Sequence, residues 1–454
     1  MALGGPRVCA RWFLLLLACL IVGCGKKGGS GTGDAPPTPI ATEPASPPGA
    51  TAIATGTVAP DGRSYVITNP RFDPLPGARA LYGVLAGAAY EVEVPTNWNG
   101  ELVLYTHGFT GNDPIVFVQM PPLRRYFIQH GFAWAASSAA TSGYNPEQLL
   151  HDTLTLRDWF DQNVGTPART YIDGTSMGGH VVVSAMEQHP EQFAGGFSEC
   201  GVVAGVEELD YLVSYGVLAG YVTHTALPIT DRAAYIAALR TKLLPALGPA
   251  NAPTEAGKQF EALVESLTGG PRPWRHQGFL DRRAANFEVA ASEDPQHLSL
   301  AARAATNVGV QYTVDPSAGV DIAKLNAQIP RLPADPSVRN AALHPDFAPR
   351  TGKLKAPLLT LHTTGDHFVP IGLELDYRRI VDAAGAGDLL VQRAIRRPDH
   401  CQFSQLELER GFGDLVNWVE HGVKPAGDDF SNADLRNAGL QFTDPLLPGD
   451  PGGE

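Results

Sequence analysis

The chain has 454 residues, and its 34 basic and 47 acidic side chains give a formal net charge of −13 at pH 7. This acidic balance argues against a nucleic-acid partner, because binding phosphate requires clustered lysine and arginine. The length is too great for one ordinary core, and it predicts either one large domain with an insertion or two domains.

The amino terminus has the layout of an export signal. Two arginines precede an apolar run over 12–22, which is shorter than the roughly 20 apolar residues that a membrane-spanning helix needs. Residues 21–24 are similar to a bacterial lipobox, so we interpret 1–23 as a lipoprotein signal peptide and Cys24 as the acylated residue. An ordinary secretory signal is the alternative. We therefore expect an exported protein of the bacterial cell envelope, attached to a membrane through the lipid on Cys24.

The segments that flank the body are poor in large apolar residues. Residues 24–60 consist mainly of Gly, Pro, Thr, Ala and Ser, and this composition predicts a flexible linker. Residues 424–454 are rich in Pro, Gly and Asp and are predicted to form a tail, although the apolar side chains of 440–442 could dock on the body.

In the body, short apolar runs alternate with helical patterns, which predicts a mostly parallel central sheet flanked by helices. The runs 90–95 and 101–106 are separated by a turn with Asn99-Gly100, a strong hairpin signal, so we expect them to be antiparallel neighbours. The elements predicted next are a helix over 117–130, a strand over 133–138, a helix over 146–164, a strand over 170–173, a helix over 181–189 and a strand over 195–199.

The alternation stops after residue 204 and resumes near residue 357. The interval has helical stretches at 233–247 and 258–267, long proline-rich connections and no convincing buried strand. We therefore predict two core parts, 61–204 and 356–423, separated by a helical cap insertion over 205–355. The elements predicted in the second core part are a strand over 357–363, a helix over 371–384, a strand over 389–395 and a helix over 405–420.

One motif in the first core part points to nucleophilic chemistry. Residues 174–178 read Gly-Thr-Ser-Met-Gly, the G-x-S-x-G pattern, at the predicted turn from strand to helix. Small residues are needed on both sides, because bulky ones would clash in the strained turn that presents the serine. A serine hydroxyl becomes a good nucleophile only when an imidazole takes its proton and a carboxylate orients that imidazole. Ser176 is thus the candidate nucleophile.

These features resemble the α/β-hydrolase superfamily over about 84–422. The chain is more specifically similar to secreted bacterial hydrolases that carry five of its phrases, namely 95–100 (Pro-Thr-Asn-Trp-Asn-Gly), 107–109 (His-Gly-Phe), 174–179 (Gly-Thr-Ser-Met-Gly-Gly), 200–205 (Cys-Gly-Val-Val-Ala-Gly) and 400–403 (His-Cys-Gln-Phe). The resemblance implies an α/β-hydrolase fold, and it leaves the cap unaccounted for.

In this fold the catalytic residues follow in the order serine, acid, histidine. Asp366 follows an apolar strand and is the favoured acid, with Glu199 at another strand end as the rival. His400 lies between the last predicted strand and helix, where the fold presents its base. The other histidines considered are interpreted as packing or surface residues: His224, His362, His367 and His421.

The oxyanion of acyl transfer needs two backbone N–H donors. We expect them from Met177, which follows the nucleophile, and from Phe109, in the His-Gly-Phe phrase. The sequence has no zinc-binding pattern, no dinucleotide-binding pattern and no phosphate-binding loop, so no metal and no cofactor is expected.

The expected reaction is acyl transfer to water, with a small-molecule ester as the first choice of substrate and an amide as the second. Tannases and feruloyl esterases carry a cysteine beside the nucleophile where this chain has Thr175, which argues against membership in their family. A peptidase, an acyltransferase and a non-catalytic lipid-anchored binding protein remain alternatives, and the oligomeric state is left open. The cap residues Tyr211, Leu212, Tyr215 and Tyr221 could line an aromatic or acyl pocket or form the core of the cap.

Two of the five cysteines belong to the predicted catalytic body. Cys200 follows the strand after the nucleophile helix, and Cys401 is next to His400, so the fold would bring both to one edge of the sheet. In an exported protein they are predicted to form a disulfide, with two buried free thiols as the alternative.

Overall fold

The computed structural model describes residues 52–59, 61–68, 72–228, 231–292 and 298–445. The strands are β1 (Ala52–Val58), β2 (Ser64–Thr68), β3 (Ala78–Leu85), β4 (Ala88–Pro95), β5 (Glu101–Thr106), β6 (Ile115–Val116), β7 (Ala133–Ser137), β8 (Arg169–Thr175), β9 (Gly195–Glu199), β10 (Leu358–Thr363) and β11 (Leu390–Ile395). The helices are α1 (Arg124–Gln129), α2 (Pro146–Asn163), α3 (Met177–Gln188), α4 (Glu207–Thr223), α5 (Arg232–Ala238), α6 (Leu244–Leu247), α7 (Glu255–Leu267), α8 (Arg275–Arg282), α9 (Ala285–Ser292), α10 (Leu300–Ala304), α11 (Ile322–Gln328), α12 (Gly372–Ala383) and α13 (Gln405–His421).

The main sheet has eight strands in the order β11-β10-β9-β8-β5-β7-β4-β3. The six strands from β11 to β7 are parallel to one another. Strand β4 pairs antiparallel with β7, and β3 pairs antiparallel with β4. Side chains alternate along β5: Leu102 and Leu104 pack with α2 and α3, whereas Val103 and Tyr105 pack with α1 and α13. The sheet is therefore covered by helices on both faces, and the predicted α/β-hydrolase fold class is confirmed.

The pairing predicted for the first two strands is wrong. β4 and β5 run in opposite directions, but β7 lies between them and pairs with both. The turn itself is present, since Gly100 has φ +84°. However, Asn99 donates its N–H to Gly131, just before β7, rather than closing a two-stranded hairpin. Strand β7 is buried along its whole length, and its backbone pairs with β4 at one edge and with β5 at the other.

Two other details of the first core part also differ from prediction. Strand β3 was not predicted, and it pairs along its full length with β4 at the edge of the sheet. The helix expected over 117–130 is confined to Arg124–Gln129. Pro121 and Pro122 precede it, and prolines lack the N–H that a longer helix would need there.

The flanking segments are partly ordered. Within the predicted linker, β1 pairs with β2, so the prediction of a flexible segment is wrong for Ala52–Val58. In the tail, Phe430 and Leu435 are buried against Ile371 and Ala394 of the core. The predicted signal peptide, with Cys24, lies outside the described residues. Among the helices that the structure describes, none is long and apolar enough to cross a bilayer.

The inserted segment 205–355 contains α4 to α11, and its described residues form no strand. Its own apolar core is built around Tyr215, Phe260 and Phe287, which are buried and have ring centroids 4.9 to 6.0 Å apart. The helices expected at 233–247 and 258–267 correspond to the α5–α6 region, with a π-helical turn at Leu239–Leu243, and to α7.

Candidate active site

The turn from β8 to α3 holds Ser176 in a strained backbone conformation. Ser176 has φ +58° and ψ −118°, which a non-glycine residue adopts only when its surroundings force it. A Cβ on Gly178 would lie 1.9 Å from the backbone oxygen of Thr106, and one on Gly174 would lie 2.3 Å from its Oγ1. The flanking glycines are thus required by the close approach of β5, as the motif predicts.

The structure brings together the three side chains that the sequence singled out. The Ser176 Oγ lies 2.9 Å from Nε2 of His400, and Nδ1 of His400 lies 2.5 Å from Oδ2 of Asp366. A carboxylate only accepts, so Nδ1 carries the proton and Nε2 is free to accept one from the hydroxyl. Asp366 follows β10 and His400 follows β11, so parallel strands place both at the edge where β8 ends.

The acid is held on both of its oxygens. Oδ1 of Asp366 accepts the backbone N–H groups of Phe368 and Val369 at 2.8 and 2.9 Å. Burial alone would raise the pKa of this carboxyl, but His400 and His362 outweigh burial and lower the pKa below its usual range. Asp366 is therefore ionised and fixed at neutral pH.

The rival acid has a different environment. Oε2 of Glu199 accepts the hydroxyl of Thr175 at 2.9 Å, and among the described residues Glu199 is not a hydrogen-bond partner of His400. Burial raises the pKa of Glu199 to about 7, and the pKa of the neighbouring Asp173 is raised well above its usual value by burial and by Glu199. The geometry thus favours Asp366 as the partner of His400.

The two residues expected to supply the oxyanion donors lie near the serine, and Phe109 lines the same cavity as Ser176. Met177 is the first residue of α3, and the first N–H groups of a helix have no acceptor within the helix. On the other side, a Cβ on Gly108 would lie 3.3 Å from Cβ of Ser176, which shows how closely the 107–109 loop approaches. His107 is buried and contacts the backbone oxygens of Gly108 and Ser138 at 2.7 and 3.2 Å, which anchors this loop next to β7.

Cys200 and Cys401 form a disulfide in the structure, with their Cα atoms 5.2 Å apart. The bridge joins the end of β9 to the loop that carries His400. On the β9 side, the Cys200 N–H donates to Leu361 of β10 at 2.7 Å. The base is thus attached covalently to the central sheet.

A cavity of about 670 Å³ opens from Ser176 into the cap. Its walls are mainly apolar and come from α4, α9, α10 and the loop after Asp366; Leu212, Val217, Tyr221, Leu298 and Phe368 are among them. Four cap residues were predicted to line a pocket or to form the core of the cap, and two of them, Leu212 and Tyr221, line the cavity. Tyr211 and Tyr215 belong to the buried core of the cap.

Sequence reasoning did not single out three polar groups in and behind this site. Glu208 of α4 is buried in its wall, its Oε2 has no hydrogen-bond partner among the described residues, and burial raises its pKa well above the usual value. Tyr144 also lines the cavity, and its hydroxyl is 2.8 Å from Nδ1 of the buried His180. His362, interpreted as a packing residue, lies behind the acid, 3.6 Å from Oδ2 of Asp366. The feature of the sequence that could have identified this role of His362 is its position four residues before Asp366.

The fold and the site together define a serine hydrolase of the α/β-hydrolase superfamily. A model of the prolyl oligopeptidase family matches residues 129–210, which include α2, the serine turn and the start of α4. A curated relative, o-phthalyl amidase of Xanthobacter agilis, is 22% identical over 420 residues, covering 78% of this chain and 91% of the relative.

Solved structures with a similar fold include two hydrolases. Feruloyl esterase B from Aspergillus oryzae is 18% identical, with a TM-score of 0.48 and coverage of 77% of this chain and 81% of that one. Acylaminoacyl peptidase from Pyrococcus horikoshii is 11% identical, with a TM-score of 0.38 and coverage of 78% of this chain. The chain spans 44% of the length of that peptidase.

Proposed function

We propose that the protein hydrolyses a carboxylic ester or amide of a small molecule through an acyl-enzyme formed on Ser176. The observation that carries this proposal is the buried series of hydrogen bonds Ser176–His400–Asp366. Ser176 at one end of the series lines an apolar cavity. The series has the arrangement in which an imidazole activates a serine hydroxyl.

In the proposed reaction, Oγ of Ser176 attacks the carbonyl carbon while its proton passes to Nε2 of His400. The N–H groups of Met177 and Phe109 stabilise the oxyanion, and each such donor contributes about 3 to 4 kcal/mol to transition-state stabilisation. Collapse of the intermediate expels an alcohol or amine, which takes the proton from His400. Water, activated by His400 in the same way, then releases the acid product.

The cavity suggests which substrates to test. Its volume, about 670 Å³, is in the range of small-molecule sites, and its apolar walls suit an aromatic or aliphatic group. An ester is our first choice, because an alcohol leaves more easily than an amine. The relative named o-phthalyl amidase supports including aryl amides, and the family match supports including aminoacyl amides.

A fluorophosphonate probe and a panel of p-nitrophenyl esters and matching anilides test the proposal. We expect the parent protein to be labelled and to hydrolyse at least one ester, and Ser176→Ala to lose both properties while remaining folded. Ser198→Ala is the matched control, because Ser198 is equally buried on the neighbouring β9 and its Oγ has no partner among the described residues. Hydrolysis by Ser176→Ala within tenfold of the parent would refute the nucleophile.

We also propose that the protein is exported and attached to the cell envelope through lipid on Cys24. The support is the sequence of 12–24, an apolar run followed by a small residue and cysteine. Replacing Cys24 with serine is expected to leave hydrolysis intact and to abolish labelling by a radioactive fatty acid. Membrane fractions that retain the Cys24→Ser protein at the parent level would contradict the anchor.

A further inference from the structure

A second buried histidine stands behind the acid of the active site. His362 is on β10, four residues before Asp366, and it is fully buried. Its Nε2 is 2.8 Å from the backbone oxygen of Val369 and 3.6 Å from Oδ2 of Asp366. Its Nδ1 is 3.3 Å from Oε1 of Glu374 on α12.

Both ring nitrogens of His362 therefore face acceptors. A backbone carbonyl cannot donate, so Nε2 of His362 carries a proton that is directed to Val369. On the other side, Oε2 of Glu374 accepts from the Thr360 hydroxyl at 2.8 Å and from the Gln392 amide at 2.6 Å. Oε2 of Glu374 is thus an acceptor only, and one proton lies between its Oε1 and Nδ1 of His362. With that proton on Nδ1 the ring is doubly protonated, and each of its nitrogens donates to an acceptor.

We propose that His362 is a positioning residue whose imidazolium bridges Glu374 and Asp366 and keeps Asp366 ionised beside His400. The inference rests on the proposed function, because it assigns His362 a role through the acid of the proposed triad. Burial favours a neutral ring, but the two carboxylates outweigh burial and raise the pKa of His362 to about 10.

The electrostatics of the site explain why such a cation is needed. Asp366 is fully buried, and burial disfavours its charged form, so a neighbouring cation adds to the effect of its hydrogen bonds in keeping it ionised. A protonated Asp366 would no longer hold Nδ1–H of His400 or stabilise the imidazolium that forms during the reaction. The charged or titratable groups around Asp366 and His362 include His400, Glu374, Arg272, His367, Glu208 and Tyr211.

The test compares kcat and KM of His362→Gln with those of the parent from pH 5.5 to 9. Loss of the cation should leave Asp366 partly protonated, so we expect kcat to fall at least about tenfold at pH 6 and to recover toward the parent value at pH 9. KM should change less than about twofold, because His362 does not line the cavity. A merely structural role would lower the active fraction equally at every pH and leave the shape of the profile unchanged.

The matched control is His180→Gln. His180 is also fully buried, and its Nε2 lies 2.9 Å from the backbone oxygen of Asp346, but its other nitrogen contacts Tyr144 rather than the acid. The fall of kcat toward low pH is expected to be the same in His180→Gln as in the parent. A His362→Gln profile with the parental shape would overturn the inference. If Ser176→Ala retained hydrolysis, the proposed function would fail instead, so the two failures are distinguishable.

A measurement on the unaltered protein decides the matter if His362→Gln does not fold. Ordinary imidazoles are neutral at pH 8.5, so nitrogen spectra of the protein labelled with 15N in its histidine rings should then show one ring with both nitrogens protonated. We expect this signal to persist to about pH 9.5. Absence of any doubly protonated ring at pH 8.5 would refute the inference.

Discussion

Glu91 on β4 is a residue whose ionisation state should control part of the stability of the fold. Its side chain is fully buried, and neither carboxylate oxygen has a hydrogen-bond partner among the described residues. Burial raises its pKa to about 8, with Arg124 lowering and Glu93 raising it to smaller extents. The folded protein therefore binds this proton more tightly than the unfolded chain does.

We predict that stability falls as the pH rises toward and through 8, and that Glu91→Gln removes this loss. Below the unfolded pKa near 4.5 the stabilising effect of the proton is fully present, and it is lost as the pH passes the folded value. The difference in free energy of unfolding between Glu91→Gln and the parent should shift in favour of the variant by on the order of 4 kcal/mol between pH 5 and pH 9.

Urea unfolding at pH 5, 7 and 9 measures this shift. Glu191→Gln provides the control, because Glu191 is exposed and its replacement should not change the pH dependence. Parallel stability curves for the parent and Glu91→Gln would show that Glu91 is ionised in the folded protein already at pH 5.

At the scale of elements, β5 packs closely against the serine turn, and two glycines, Gly178 in this turn and Gly216 in α4, differ in the space that surrounds them. A Cβ at Gly178 would lie 1.9 Å from a backbone oxygen, which cannot move aside as a flexible side chain would. At Gly216, in α4, no atom outside its chain neighbours and the adjacent helix backbone lies within 4 Å of the added Cβ. Replacing glycine by alanine should therefore have opposite effects on stability at Gly178 and at Gly216.

We predict that Gly178→Ala destabilises the protein by about 3 kcal/mol or more and displaces Ser176. Gly216→Ala should stabilise it by about 0.5 to 1 kcal/mol, since alanine is the better helix former. Thermal unfolding and labelling by fluorophosphonate measure the two effects. A Gly178→Ala protein with parental stability and labelling would mean that the turn relaxes without cost.

At the scale of the whole molecule, the Cys200–Cys401 bridge constrains a loop of the chain that contains the entire cap. The two cysteines are 201 residues apart in sequence. Closing a loop of this length lowers the entropy of the unfolded chain and stabilises the fold by about 5 kcal/mol in the chain-entropy model. The bridge also holds the loop of His400 to the end of β9.

We predict that Cys200→Ala, Cys401→Ala and the double variant lose similar stability, because each change removes the same bridge. The measurement is urea unfolding with and without reductant, and only the parent should respond to reduction. Mass spectrometry of non-reduced peptides is the direct check. Free, alkylatable thiols at both positions in the native parent would contradict the disulfide.

Local signals determined much of what could be predicted. Hydrophobic periodicity located β7, α2, β9, β10, α12, β11 and α13 to within a few residues. Steric constraints of the serine turn are encoded in the flanking glycines, so Ser176 could be singled out from 174–178 together with the predicted strand before this motif and the apolar helix after it. The order serine, acid, histidine and the position of each after an apolar strand pointed to Asp366 and His400, and the structure places them within hydrogen-bonding distance.

Only the tertiary structure decided which segments lie beside one another. The position of β7 between β4 and β5 depends on backbone pairing between segments that are distant in sequence, which no turn signal specifies. The same holds for Glu208 and His362, whose protonation depends on burial and on partners from separate elements. Patterns in the sequence report the conformation of neighbouring residues, whereas desolvation and long-range pairing arise only when distant segments pack together.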